Sequence, residues 1–383
     1  MMAWTLALVC LLVAGAGCLY LGYAAVVSAG FVAETAPERA TWPPVTILKP
    51  LRGDEPALLR NLASFCAQDY PAPVQIVFGV QAQDDKAIDV VKRLEAEFPQ
   101  SDIRLVVDPA GYGANRKISN LINMTRAISH GVVVLADSDI EVPKDYLRRV
   151  AAALDRPGVG GVTCLYHGIP AGGFWSRLSA LAIDSHFLPN VLVGLRLGMA
   201  TPCFGSTIAL SRIELDAIGG FAAFSNVLAD DYAIGAALRA RGLAVAIPRF
   251  LVGHSCPEGS LAEVWRRELR WARTIRTVDP WGHAGSAVTH PLAFALLAAA
   301  AGAPVQGLAL AVLATICRVV LLLFTVRGHD LPPPDYRFVP LRDLLSFAIF
   351  AWSFFGQDLT WRGQRYRVLR NGALTADSRT DAS

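Results

Sequence analysis

No charged side chain occurs between Met1 and Ala33; the first is Glu34. Crossing the hydrocarbon core of a bilayer as a helix takes about 20 apolar residues, so this run is long enough and has no other comfortable solvent. A cleavable leader would show a positive start and an apolar stretch of only about 7–15 residues. Neither is present, and residues 1–33 read as an uncleaved transmembrane anchor. Arg39, Lys49, Arg52 and Arg60 come after it, while the N-terminal side offers no Lys or Arg. The positive-inside rule then puts the chain beyond residue 33 in the cytoplasm.

The rest of the apolar excess is equally localised. The chain is 53% hydrophobic and 17% charged, against about 25% charged in an ordinary soluble domain. A net charge of +3 is too small an imbalance to argue for nucleic acid, and none is expected as a partner. His290 to Val326 is apolar but broken by Gly302, Pro304 and Gly307, so residues 289–327 are expected to form a transmembrane hairpin of two short spans. Leu341 to Phe355 is shorter, and 341–356 reads as a transmembrane or re-entrant segment. Residues 357–383, with Arg362, Arg365, Arg367 and Arg370, read as a basic cytosolic tail. Seven cysteines are scattered without a C-x-x-C pair and behave as small buried hydrophobes rather than as a disulfide framework.

Between these segments, residues 43–288 have the composition of a soluble domain. Val45-Thr-Ile-Leu, Val74 to Val80, Ile103 to Val107 and Val132 to Ala136 are apolar runs of strand length. Pro56 to Phe65, Asp84 to Phe98 and Lys117 to Ile128 carry apolar residues at helical spacing. Strands alternating with helices of about a dozen residues predict an α/β fold with a doubly wound, mostly parallel sheet. Ligands of such sheets bind beyond the strand C-termini. No G-x-G-x-x-G comes after the first strand, and the strand ends are acidic instead: Asp84-Asp85 after the second, Asp137-Ser138-Asp139 after the fourth. An acidic rim suits an anionic ligand carried with a metal.

Each acidic motif has two readings. Asp137 and Asp139, two apart in an extended segment, point to one side and suit Mg²⁺ or Mn²⁺ held mainly by substrate phosphates; the same pair suits a turn that caps the helix beginning near Pro143. Asp85 can take a nucleoside or meet the dipole of its own helix. Asp230-Asp231 opens a helical run, where one carboxylate can act as a general base toward a hydroxyl or both can serve the helix start. Arg267 and Arg270 share a helix face beside Trp271, a clamp for a pyrophosphate or the polar side of a helix at the headgroups. His186 and His254 are isolated and read as structural, His254 also as a possible completion of a metal site. Phe174 to Met199 reads as a core helix or as an acceptor groove dipping into the membrane.

In chain order, Asp85, Asp137-Ser-Asp139, Asp230-Asp231 and Arg267-x-x-Arg270-Trp271 resemble the D, DxD, D, (Q/R)xxRW series of family 2-like and family 21 glycosyltransferases. The resemblance is to ceramide glucosyltransferases and their bacterial hopanoid-associated relatives. It extends through Leu48-Lys-Pro-Leu51, Asp69-Tyr-Pro71, Lys117-Ile-x-Asn-Leu121 and Trp361-Arg-Gly-Gln-Arg-Tyr-Arg367. It implies a GT-A fold and an inverting transfer of a hexose from a UDP-sugar to a lipid hydroxyl, either glucose to ceramide or N-acetylglucosamine to a hopanoid polyol. It implies Asp231 as the catalytic base and Asp137 and Asp139 on Mg²⁺ or Mn²⁺. Asp85, Lys117, Asp137, Asp230, Arg267, Arg270 and Trp271 would contact the substrates. The resemblance also implies a multi-pass protein of the bacterial inner membrane with a cytosolic catalytic domain. The chain departs from the family pattern at Ala82, where a carboxylate is usual, and at Asp230, where Glu is common. A processive polysaccharide synthase shares much of this set but has Gln in place of Arg267 and needs more spans than this chain offers; a non-enzymatic membrane scaffold would not need the carboxylates.

Overall fold

The apolar runs become the strands of a seven-stranded sheet. The computed structural model describes residues 2–32, 34–35, 40–356, 358–361, 364–368 and 374–376. Its contacts divide the chain into two units: Ala33–Ala171 with Thr201–Pro257 and Trp361–Ser383, and Met1–Val32 with Gly172–Ala200 and Glu258–Thr360. The stretch 43–288, expected as one domain, is therefore shared between them. Arg39, Arg362 and Arg370 lie outside the described residues, as does most of the tail expected at 357–383.

In the sheet unit the strands are β1 (Val45–Pro50), β2 (Val74–Val80), β3 (Asp102–Val107), β4 (Val132–Leu135), β5 (Ile140–Glu141), β6 (Val159–Val162), β7 (Leu165–Pro170), β8 (Ile208–Ser211), β9 (Ala244–Ala246) and β10 (Leu251–Cys256). The large sheet runs β3-β2-β1-β4-β8-β6-β9. All its pairs are parallel except those that β8 makes with β4 and β6. Side chains alternate across a strand, and both faces are covered. Ile47, Ile76, Phe78 and Val134 pack on one side with Leu62, Phe65, Val91 and Leu94. Leu48, Val77, Val133 and Leu135 pack on the other with Ile118, Leu121, Ile234 and Leu238. Two-sided burial is why these strands read as continuous apolar runs. A second, smaller sheet orders β5-β10-β7, and it pairs Ile140, the residue after Asp139, with His254.

The other unit is helical. Met2–Gly30, Gly173–Arg196 and Pro304–Gly328 are long and apolar enough to cross a membrane, and they give the chain its membrane association. The expected hairpin is unequal. Pro291–Ala300 has ten residues, about 15 Å at 1.5 Å per residue, and is too short to span; Pro304–Gly328, with 25, is not. The segment from Gly173 to Arg196, expected as core or groove, is a third helix of spanning length, interrupted by a π-turn at Ile183–Phe187. Small residues let these helices approach closely, as is usual in membranes: a Cβ on Gly307 would lie 2.5 Å from the Ala299 nitrogen and 2.7 Å from the Ala295 oxygen. The segment expected at 341–356 is a helix, Val339–Ser353. Arg318, fully buried in the Pro304–Gly328 helix, pairs at 3.0 Å with Asp343, which is buried in the Val339–Ser353 helix. The Arg318 guanidinium also donates to the Ser185 carbonyl at 2.8 Å. A cation at that depth persists because it is paired.

Candidate active site

Lys117 is the point on which the acidic motifs of the sheet unit meet. Asn115 caps its helix, Arg116–Met124, by accepting the Ile118 N–H, which leaves Lys117 in the first turn. Its Nζ lies 2.7 Å from Asp137 Oδ1 and 3.2 Å from Asp230 Oδ2. Burial alone would lower the Lys117 pKa, but Asp137, Asp230 and Asp231 outweigh it and hold the ammonium firmly charged. Asp137 comes from the end of β4 and Asp230 from the start of the helix Asp230–Ala240, so one cation joins two strand-and-helix ends.

Gly205 completes the arrangement from a third segment. Its carbonyl accepts the Asp137 N–H at 3.0 Å, and its own N–H donates to Asp231 Oδ2 at 3.1 Å. A Cβ there would sit 2.5 Å from Asp137 Oδ2 and 3.1 Å from Lys117 Nζ, so the close approach requires glycine. Asp231 also accepts the N–H of Tyr232 on Oδ1 at 2.8 Å. Its carboxyl pKa is pushed up to about 6, by burial first and by the like charge of Asp230 second, with Lys117 pulling the other way. A half-buried carboxylate at a helix start, poised near neutrality, can take a proton from a hydroxyl.

Asp139 stands at the same strand end. Its backbone carbonyl accepts the Ser255 N–H at 2.8 Å, and its Oδ2 lies 3.4 Å from His254 Nδ1. Its Oδ1 is buried and has no hydrogen-bond partner among the described residues. Among those residues no group of three or more His, Cys, Asp or Glu side chains is arranged to hold a cation. Hard carboxylate oxygens, one of them buried and unmatched, nevertheless fit Mg²⁺ or Mn²⁺. Such ions are commonly held by one or two carboxylates, with phosphate oxygens and water filling the remaining positions. Asp139 and Asp137 are the residues that would hold it.

Asp85 is occupied by the backbone: its Oδ1 accepts from Gly53 N–H at 2.7 Å and from Ala87 N–H at 2.9 Å, which ties the loop after β1 to the helix Ala87–Glu97. Arg267, Arg270 and Trp271 belong to the helical unit, on the helix Leu261–Val278, whose first turn is capped by Ser260. There Arg267 pairs with buried Glu258 at 2.5 Å, and its guanidinium lies 4.8 Å from the Trp271 ring centroid. The structure thus brings Lys117, Asp137 and Asp230 together through direct contacts and ties Asp231 to Asp137 through the Gly205 backbone, and it adds Gly205 and two more residues that sequence reasoning missed. Asn115 donates from Nδ2 to Asp230 Oδ1 at 3.2 Å and to the Val227 carbonyl at 2.9 Å. Lys49, wholly buried at the end of β1, donates to the Asp137 carbonyl at 2.5 Å; burial brings its pKa down to about 7 against the upward pull of Asp137, Asp139 and Glu55. An Asn just ahead of an apolar-periodic run was a readable cap signal. Lys49 stood in the Leu48-Lys-Pro-Leu51 motif without a role of its own, and for Gly205 no local pattern existed.

The family model for glycosyl transferase family 21 matches residues 5–374. The chain belongs to glycosyl transferase family 21. Over 234 residues it is 26% identical to ceramide glucosyltransferase 1 of Caenorhabditis elegans, covering 61% of this chain and 50% of that protein. Over 253 residues it is 27% identical to the beta-monoglucosyldiacylglycerol synthase of Synechocystis sp., covering 63% and 50%. The chain therefore spans about half the length of these two curated relatives. Among solved structures, a mannosyltransferase from Pyrobaculum calidifontis in complex with GDP-Man and Mn²⁺ superposes with a TM-score of 0.53 at 20% identity, covering 92% of this chain and 99% of that one. The family 21 chain accordingly has a GT-A fold, with its apolar helices in the N-terminal and C-terminal regions.

Proposed function

We propose that this family 21 member is a membrane glycosyltransferase that moves a hexose from a UDP-sugar to a lipid hydroxyl with inversion, from UDP-glucose to ceramide or a ceramide-like lipid. The observation that carries the reading is the Asp231 carboxylate, poised near neutrality beside the Lys117–Asp137 pair. In the step it serves, the acceptor hydroxyl oxygen bonds to the sugar C1 from the face opposite the leaving group. The C1–O bond to UDP breaks, its electron pair leaves with UDP, and the hydroxyl proton passes to Asp231. A single displacement needs one base and no covalent intermediate. Asp137 and Asp139 would hold Mg²⁺ or Mn²⁺, which, when bound, offsets the charge that develops on the diphosphate. Lys117 keeps Asp137 and Asp230 neutralised so that they do not repel a nucleotide. Asp85 would take the nucleotide, and Arg267, Arg270 and Trp271 the pyrophosphate and acceptor. Helices of spanning length fit an acceptor that never leaves the bilayer, with catalysis on the cytosolic face of a bacterial inner membrane.

The test is a product assay on purified protein. UDP-glucose or UDP-N-acetylglucosamine is offered with ceramide or a hopanoid polyol, and the lipids are weighed by mass spectrometry. A hexosylceramide is the expected product; N-acetylglucosaminyl hopanoid would instead identify the hopanoid branch of the resemblance, and a soluble or membrane-extruded polymer would overturn the assignment. Turnover should vanish in EDTA and return with Mg²⁺ or Mn²⁺, and transfer that ignores EDTA would remove the role given to Asp137 and Asp139.

The Asp231 pKa fixes the expected pH dependence. A base must be ionised to act, so kcat should be flat above about pH 7 and fall as pH drops through about 6, approaching tenfold per unit on the acid side. In Asp231→Glu, with a longer arm, this limb should move; a limb that stays put in that variant belongs to another group.

A further inference from the structure

The helix that carries Arg267, Arg270 and Trp271 has little apolar anchorage. Of its 18 residues only Val264 and Leu269 are buried, so hydrophobic packing alone leaves its rotation about its own axis weakly specified. Beside the Arg267–Glu258 pair and the contact of Trp265 with Trp352, polar contacts to one neighbouring segment supply what buried packing does not. Arg342, with no exposed surface, grips Glu268 with both arms of its guanidinium, at 3.0 Å and 2.8 Å. Arg273 donates to the Phe355 carbonyl at 2.7 Å and Arg276 to the Gly356 carbonyl at 3.0 Å. All three partners lie on the helix Val339–Ser353 or immediately beyond its end.

We infer that Arg342 is a positioning residue that sets the roll of this helix, through Glu268, and so aims Arg267, Arg270 and Trp271. Adjacent helical residues are turned by about 100°. Holding Glu268 against Arg342 therefore directs the face of Arg267, Arg270 and Trp271, at i, i+3 and i+4, to one side of that contact. A two-armed carboxylate–guanidinium pair defines an angle as well as a distance, which a lysine in the same place would not. The next residue, Asp343, turned by about 100° from Arg342, pairs with Arg318 of the Pro304–Gly328 helix at 3.0 Å. The helix Val339–Ser353 thus holds the arginine-bearing helix on one flank and a helix of spanning length on the other. The inference rests on the proposed role of Arg267 and Arg270 as contacts for the UDP pyrophosphate.

UDP affinity, measured by calorimetry on the full chain in detergent with Mn²⁺, tests it, together with KM for the UDP-sugar and the melting temperature. Arg342→Lys keeps the charge and loses the fork. Arg342→Met combined with Glu268→Met removes both charges and orphans neither. Both should weaken UDP binding and raise KM by about tenfold or more, with the double variant melting within a few degrees of the parent. Arg270→Ala is the reference for the clamp itself. If it weakens UDP binding while the two Arg342 variants bind as the parent does, the positioning role is wrong. If losses in the Arg342 variants only track losses in melting temperature, the pair is structural and the inference fails. If Arg270→Ala binds UDP normally, the pyrophosphate assignment falls and takes the inference with it.

Discussion

Asp231→Asn should lower kcat by about 10²–10⁴-fold while UDP-sugar affinity stays within about threefold. The substitution keeps the shape: the amide oxygen can still accept one of the two N–H groups that the carboxylate accepts on separate oxygens, Gly205 on Oδ2 at 3.1 Å and Tyr232 on Oδ1 at 2.8 Å, while the amide nitrogen takes the other oxygen's place. The capacity to take a proton is lost, together with one accepted backbone hydrogen bond. A thousandfold loss corresponds to about 4 kcal/mol of barrier, within what a positioned base supplies. Asp230→Asn is the informative partner. Asp230 is buried and engaged on one oxygen by Asn115 and on the other by Lys117, so it is held rather than available. Its neutral variant should keep a larger part of the turnover and should shift the acid limb to lower pH, because the like charge that helps raise the Asp231 pKa would be gone. Parental turnover in Asp231→Asn would remove the base assignment, and greater damage from Asp230→Asn would exchange the two roles.

Lys117→Met should destabilise the protein as well as silence it. The ammonium is shared between Asp137 and Asp230, and removing it leaves like charges close together, one of them in a site with 6% exposure. Breaking a buried ion pair from one side costs about 3–5 kcal/mol, or roughly ten degrees of melting temperature in a domain of this size. Protonation of the abandoned carboxylates limits the cost, so the loss should be smallest at acid pH and largest above neutrality. Asp230→Asn in the Lys117→Met background should recover stability without recovering turnover. A Lys117→Met protein that melts like the parent at pH 8 would show that the cation neutralises nothing of consequence.

Much of this was legible in the chain because the forces involved are local. A long run of apolar residues without charge favours a helix whatever surrounds it, and Met2–Gly30 is a helix long and apolar enough to cross a membrane. Strands buried on both faces show as unbroken apolar runs, so β1, β2 and β4 were recoverable, as was the helix opened by Asp230 and Asp231. The membrane helices were harder. Gly302 and Pro304 marked a turn correctly, but a turn does not say how the residues on either side divide, and Pro291–Ala300 proved too short to cross. The stretch from Gly173 has the composition of a buried helix and of a spanning one alike, since both are apolar around their whole circumference.

Residue type and spacing along the polymer determined the element order, the α/β class, the charge-free N-terminal helix and the set of candidate carboxylates. Pairing between distant segments was decided only by tertiary structure: which aspartate Lys117 neutralises, which oxygen of Asp85 the backbone consumes, and that a glycine at 205 lets Asp137 and Asp231 share one backbone hinge. Asp230 and Asp231 are the same chemical group one position apart. What separates them is surroundings: Asp230 is gripped by Asn115 and Lys117, whereas its half-buried neighbour, its pKa raised by burial and by the charge of Asp230, is the one we propose as the base.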